Sequence, residues 1–311
     1  MIEHLAMICT TLSLMTSMIQ ISLHFLNYNN PKLQLHICRI VGMVPVFAVQ
    51  SYLIVLYPEK SLALSALKDG YEAYVLYLFT QLIIEYTGGE YHLICLLITR
   101  KSIKRPWPMD TMKPIQLGEQ FYRNVKQGVL QFVFLRPIIS VLALILAGWN
   151  LYEEGDFSYN KGYLYCSFIS NISVSISLYY LVLLYTVTKD SLDKSVFYKF
   201  ICVKSLVFFS FWQSCAFALL IKTGIFGEEN EAARNSIIYQ NLLLCVELVI
   251  VAYYIWKSFS FKEFLQKEKR EYSVIKSVGE VLNVKDILDD ARDTFSGVDD
   301  ELNYSGYTWE D

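Results

Sequence analysis

Seven apolar stretches fill the chain between residues 5 and 256 and fix its class before any motif is considered. They run 5–26, 37–57, 71–86, 127–150, 164–188, 197–222 and 236–256. A helix needs about 20 mostly apolar residues to cross about 30 Å of hydrocarbon, because lipid cannot hydrogen-bond an open backbone. The third stretch is short, and the apolar run 91–99 beyond Gly88-Gly89 offers an extension. The pattern predicts an all-α, polytopic membrane protein: a seven-transmembrane helix bundle with a short cytosolic C-terminal tail. Residues 1–258 form the membrane domain. Residues 259–311 form an acidic tail with an amphipathic helix at 281–295.

The net charge of −3 says little, because the charges are segregated. The first, third and fifth loops, with the tail, carry twenty Lys and Arg; the other loops carry five, Lys60, Lys68, Lys161, Lys222 and Arg234. This positive-inside asymmetry predicts an outside or lumenal N-terminus and a cytosolic C-terminus. The seven cysteines lie in or beside spans without a CxxC, so neither disulfides nor a structural zinc are expected. Pro45 is expected to kink the second span and Pro137 the fourth, since each removes an intrahelical donor. The third loop, 100–126, is basic and Pro-containing, and is expected to be partly irregular on the membrane surface.

The tail begins with a basic, aromatic segment, 259–272, expected to lie on the membrane surface as a helix. In the helix at 281–295, Val284, Ile287, Leu288, Ala291 and Phe295 recur at helical spacing with acids around them. A short helix cannot bury such a stripe alone. Either it docks on a cytosolic partner, for which a ubiquitin-like autophagy protein has suitable chemistry, or it folds back on the basic third loop.

Ionisable residues at membrane depth are the sharpest pointers to function, each costing about 2.5–3.5 kcal/mol on insertion scales. Arg136 lies beside Pro137, Lys204 sits about two turns into the sixth span, and Glu247 falls near the middle of the seventh. Arg136 and Lys204 either snorkel to cytosolic water or meet an anionic solute. Glu247 must be protonated, paired or in a wet cavity. Glu72 opens the third span. Asn171 in the fifth and Gln213 in the sixth are polar groups that need partners.

The stretches RIVGMVPV (39–46), KDGYEAYVLY (68–77), YTGGE (86–90), KQGVLQFVFLRP (126–137), NISVSISLYYLVLLY (171–185) and KFICVKSLVFFSFWQ (199–213) resemble the organic solute transporter alpha / transmembrane protein 184 family. They are closer to the transmembrane protein 184 branch. DARDTFSG (290–297) is similar to a tail segment of that branch. The resemblance implies seven helices and facilitated movement of amphipathic organic anions, steroids or lipids. It also implies a vacuolar, endomembrane or plasma-membrane location, and either a homo-oligomer or a single-span subunit as partner. Glu72, Glu90, Arg136, Asn171, Lys204 and Gln213 stand at matching positions. The third loop lacks the cysteine cluster of the transporter branch.

The candidate substrate-binding set is therefore Arg136, Lys204, Glu247, Asn171, Gln213 and Glu72, and the candidate partner-binding set is the tail stripe. Membrane lipids are expected neighbours. No catalytic residue, metal, cofactor or nucleic-acid partner is expected. The four histidines, 4, 24, 36 and 92, form no HxxxH, which weighs against a zinc hydrolase. The alternative to transport is an endomembrane scaffold or receptor-like protein that recruits cytosolic partners through its tail.

Overall fold

The computed structural model describes residues 1–100, 102–105, 111, 113–153, 158–193, 195–203, 205, 213, 216–217, 220, 229–265, 278–281, 283 and 285–296. Helix α1 spans Ile2–Leu26, α2 Pro31–Val41, α3 Met43–Leu56, α4 Ser61–Tyr86 and α5 Glu90–Arg100. Helices α6 (Glu119–Gly148), α7 (Gly162–Thr188), α8 (Glu229–Ser258) and α9 (Lys285–Ser296) follow. Residues 195–203 are also helical. A two-residue antiparallel ladder, β1 (Ser102–Ile103) on β2 (Ile115–Gln116), pins the third loop.

Among the described residues, five helical stretches are long and apolar enough to span a bilayer: Ile2–Leu26, Pro31–Leu56, Glu119–Gly148, Gly162–Thr188 and Arg234–Phe264. The side chains are distributed as a lipid solvent requires. In α1 the buried stripe is Ala6, Thr10, Ser13, Ser17, Gln20 and His24, at alternating spacings of four and three, with Cys9 beside it. Leu5, Met7, Ile8, Leu12, Met15, Met18 and Ile19 point outward. Small and polar residues inside with large apolar residues outside would be unfavourable in water, where exposed apolar patches of this size are rare. In lipid the large side chains cost nothing, and the small ones let helices approach.

Helix α1 packs on α3 and α8, α4 lies between the α2–α3 pair and α6, and α6 packs on α7. The α6–α7 seam is tight. A Cβ on Gly128 would lie 2.2 Å from the Tyr180 ring. Ser173 and Ser177 are buried, and Gln131 donates to the Ser173 carbonyl at 3.2 Å.

The second span breaks at Gly42, between α2 and α3. Pro45 removes the donor that the Val41 carbonyl would meet one turn back. The loosened turn exposes the Arg39 carbonyl, which accepts from Tyr71 Oη at 2.6 Å. Helix α6 is continuous through Pro137.

Three expected boundaries move. The third span begins at Ser61, not Tyr71, and it does not extend through 91–99. Gly88 and Gly89 have φ of 97° and 91°, where a Cβ is strained, and α5 starts as a separate helix. Helix α6 begins at Glu119, shortening the third loop. The surface helix expected at 259–272 is a 3₁₀ turn over Phe261–Phe264; 266–277 lie outside the described residues.

The basic loops gather at one end of the bundle. Asn29 Nδ2 donates to the Phe264 carbonyl at 2.7 Å, and Arg100 pairs with Asp190 at 3.0 Å. The end of α8 is capped from the same side. Gln20 Nε2 donates to the Ile255 carbonyl at 3.2 Å, which also accepts from Phe259 N–H, and to the Phe259 carbonyl just beyond the helix at 2.8 Å. His24 Nε2 bonds the Phe259 carbonyl at 3.0 Å, which calls for its Nε2–H tautomer. His24 is thereby committed to a structural bond.

Candidate functional site

Arg136 is paired at membrane depth. Its Nη2 lies 2.8 Å from Asp69 Oδ1, and Nη1 donates to the Ser170 hydroxyl. Ser140 Oγ donates to Asp69 Oδ2 at 3.4 Å. The guanidinium and carboxylate are 27% and 24% exposed, enclosed but reachable. Helices α4, α6 and α7 each contribute, so the pair is a three-helix junction. Glu72, one turn beyond Asp69, adds its charge to the same guanidinium. An anion entering here would meet a cation already oriented by a carboxylate and a hydroxyl.

Asp69 was not among the sequence candidates. Lys68-Asp69-Gly70 has the composition of a loop, and that composition placed the start of the span at Tyr71. The available signal was the spacing of Asp69 and Glu72, which puts two acids on one helical face. Gly70 belongs to the same junction, since a Cβ there would sit 3.9 Å from the Pro137 ring.

Glu247 is half-buried in α8, and its Oε1 accepts from Gln213 Nε2. Two sequence candidates are thus brought together, although not with Arg136. The other oxygen, Oε2, is buried without a hydrogen bond among the described residues.

Lys204 lies outside the described residues. Asn171 faces outward on α7, and its amide bonds back to the Ser167 carbonyl at 2.8 Å. The expected partner on another helix is replaced by one a turn away, which satisfies the amide within its own helix.

A second buried cation, Lys199, is fully enclosed at 0% side-chain exposure. Its Nζ lies 2.7 Å from Glu263 Oε2 and 2.6 Å from Tyr86 Oη, and it sits 4.8 Å from the centroid of the Tyr86 ring. The cluster borders a cavity of about 470 Å³ lined by Asn29, Asn30, Asp193, Ser195, Glu263 and Phe264. Tyr86 of α4, Phe259 at the end of α8 and Glu263 of the 3₁₀ turn close over it.

The tail helix is folded back on the bundle. Asp290 accepts from Lys126 Nζ at 2.6 Å, Gln81 Nε2 at 2.9 Å and Tyr77 Oη at 3.1 Å. Ile287 and Ala291 are buried in the main core, while Leu288 and Phe295 remain 58% and 54% exposed. Val284 lies outside the described residues. The segment folds back onto α2, α4 and α6, through Arg39, Tyr77, Gln81 and Lys126, and not onto the third loop as such. A partner groove for the whole stripe would require the helix to leave.

The sequence profile of the family described as organic solute transporter Ostalpha matches residues 2–264. The chain belongs to the organic solute transporter alpha family. A transmembrane protein 184 homolog of Dictyostelium discoideum is 35% identical over 258 residues, covering 81% of this chain and 51% of that protein. The chain therefore spans about half the length of that curated relative. No solved structure matches it. Within the Ostalpha family, then, this chain is an all-α, multi-pass membrane protein. The matched region contains Asp69, Arg136, Lys199 and Glu247 and ends at Phe264, so helix α9 lies beyond it.

Proposed function

We propose that this protein is a facilitative transporter-like member of the Ostalpha family that moves amphipathic organic anions, steroids or lipids. The observation that carries the reading is the Arg136–Asp69 pair at the α4–α6–α7 junction. A cation at membrane depth is costly and persists where it has a partner or a task. Here its partner is only partly enclosed, so an incoming anion can exchange for Asp69 without leaving the guanidinium bare. Lys204 and the Glu247–Gln213 pair are assigned to the same polar route, with Asn171 and Glu72 at its edges. Transport needs no catalytic residue, and we assign none.

The membrane domain is taken to have seven spans: the five apolar helices, α4, and residues 197–222. Length supports counting α4, whose 26 residues reach about 39 Å at 1.5 Å per residue. Its low hydropathy follows from Lys68, Asp69 and Glu72, of which Asp69 is neutralised by Arg136. The charge asymmetry places the N-terminus outside or lumenal and the tail in the cytosol.

The test is flux of a labelled steroid sulfate in liposomes containing the purified chain. Wild-type protein should carry the label down its gradient, and Arg136→Gln should remove most of that flux while the protein still folds. Equal flux through both proteins would overturn the assignment of Arg136. Absence of flux through wild-type protein would overturn transport itself and favour a scaffold.

A further inference from the structure

Arg39 is a buried guanidinium, 4% exposed, in a helix of the membrane domain. Tyr74 of α4 lies beside its side chain, and its closest hydrogen-bond partners come from the C-terminal segment. Nε donates to the Val281 carbonyl at 2.9 Å. Nη2 donates to the carbonyls of Glu280 at 3.1 Å and Asn283 at 2.5 Å. Nη1 lies 2.6 Å from Asp286 Oδ2. Four residues of that segment thus converge on one side chain more than 240 residues away.

Beside Arg39 lies a cavity of about 380 Å³. Ile21, Phe25, Cys38, Tyr71 and Tyr74 of the bundle line it, and Val278 and Val281 of the same C-terminal segment complete its wall. The second anchor, Asp290, rests on Lys126, Gln81 and Tyr77. Along residues 285–295 only Ile287 and Ala291 are well buried, while Leu288, Asp289, Arg292, Asp293 and Phe295 face outward. A twelve-residue helix is marginal by itself in water, so this one is held by two ionic anchors and a narrow apolar strip.

We propose that residues 278–296 form a displaceable latch that closes the cavity beside Arg39. Seated, the latch satisfies the guanidinium and walls the cavity. Released, it uncovers Arg39 and opens the cavity to the side of the bundle where the basic loops meet. The latch stands independently of the transport reading, because its readout is access and not flux.

Cys38 supplies that readout, being buried and on the cavity wall. The full-length chain in lipid nanodiscs is treated with N-ethylmaleimide, and labelling of the Cys38 peptide is followed by mass spectrometry. Hydrogen exchange of 285–296 is measured in parallel. In wild-type protein Cys38 should react slowly. Asp286→Asn with Asp290→Asn should speed its labelling about tenfold or more, the factor that about 1.4 kcal/mol of lost holding energy produces, and should free the amides of 285–296. Asp286→Glu should stay near wild type. Unchanged Cys38 labelling with freely exchanging amides would show that the segment covers nothing and would overturn the latch. Persisting protection of 285–296 in the double variant would overturn it equally, because the two carboxylates would not be what holds the segment.

Discussion

At the scale of single residues, charge burial decides most of what is distinctive here. Asp69 and Arg136 are each about three-quarters enclosed, so removing one partner strands the other. Breaking a buried pair costs about 3–5 kcal/mol, and partial exposure reduces that to about 2–3 kcal/mol here. Asp69→Asn and Arg136→Gln should each lower detergent-solubilised stability by that amount. The double variant should lose clearly less than the sum, giving a coupling of about 1 kcal/mol or more. Additive losses in a thermal-shift cycle would mean that the pair is incidental. Glu247 poses a different problem, because one oxygen meets Gln213 and the other meets nothing among the described residues. Glu247→Gln keeps the hydrogen-bonding shape without the charge and should be tolerated. Glu247→Leu strands the Gln213 amide and should cost about 1–3 kcal/mol. Equal yields of the two variants from membranes would contradict this.

At the scale of elements, the α2–α3 break shows a local rule turned into a tertiary contact. Pro45 frees the backbone, Gly42 lets the chain turn closely, and Tyr71 of α4 takes the freed Arg39 carbonyl. A Cβ on Gly42 would lie 2.6 Å from Tyr71 Oη and 3.1 Å from the Arg39 oxygen. Gly42→Ala should therefore destabilise by about 1–3 kcal/mol, as overpacking does. Adding Tyr71→Phe should restore part of the loss by removing the nearer clash. A Gly42→Ala protein as stable as wild type would mean that α4 slides freely past the break. The same element explains why the third span was misplaced in sequence. Lys68-Asp69-Gly70 has the composition of a loop, and only Arg136 on α6 and the Pro137 ring make it helix interior.

At the scale of the whole molecule, the basic loops meet at one end, and the chain closes on itself there through Asn29–Phe264, Lys199–Glu263 and Arg39–Asp286. If the tail is cytosolic, as charge asymmetry predicts, a C-terminal tag in sealed vesicles should be digested only when protease reaches the cytosolic face. Digestion from the opposite face would invert the topology. The sequence by itself determined the class of fold, because hydrophobic length is a local property that lipid reads directly. It also determined that Pro45 would disturb the second span and Gly88-Gly89 the third, the family, and the residues Arg136, Glu247 and Gln213 as polar groups needing partners. Which groups answer them was decided only by tertiary structure. Asp69 for Arg136, Glu263 for Lys199, the Ser167 carbonyl for Asn171 and residues 280–286 for Arg39 follow from helices meeting in space, and a pairing energy exists only once both charges are buried together. The tail helix makes the same point: of its stripe Ile287 and Ala291 are covered while Leu288 and Phe295 are not, and the choice of Tyr77, Gln81 and Lys126 as its seat came from three donors converging on one carboxylate.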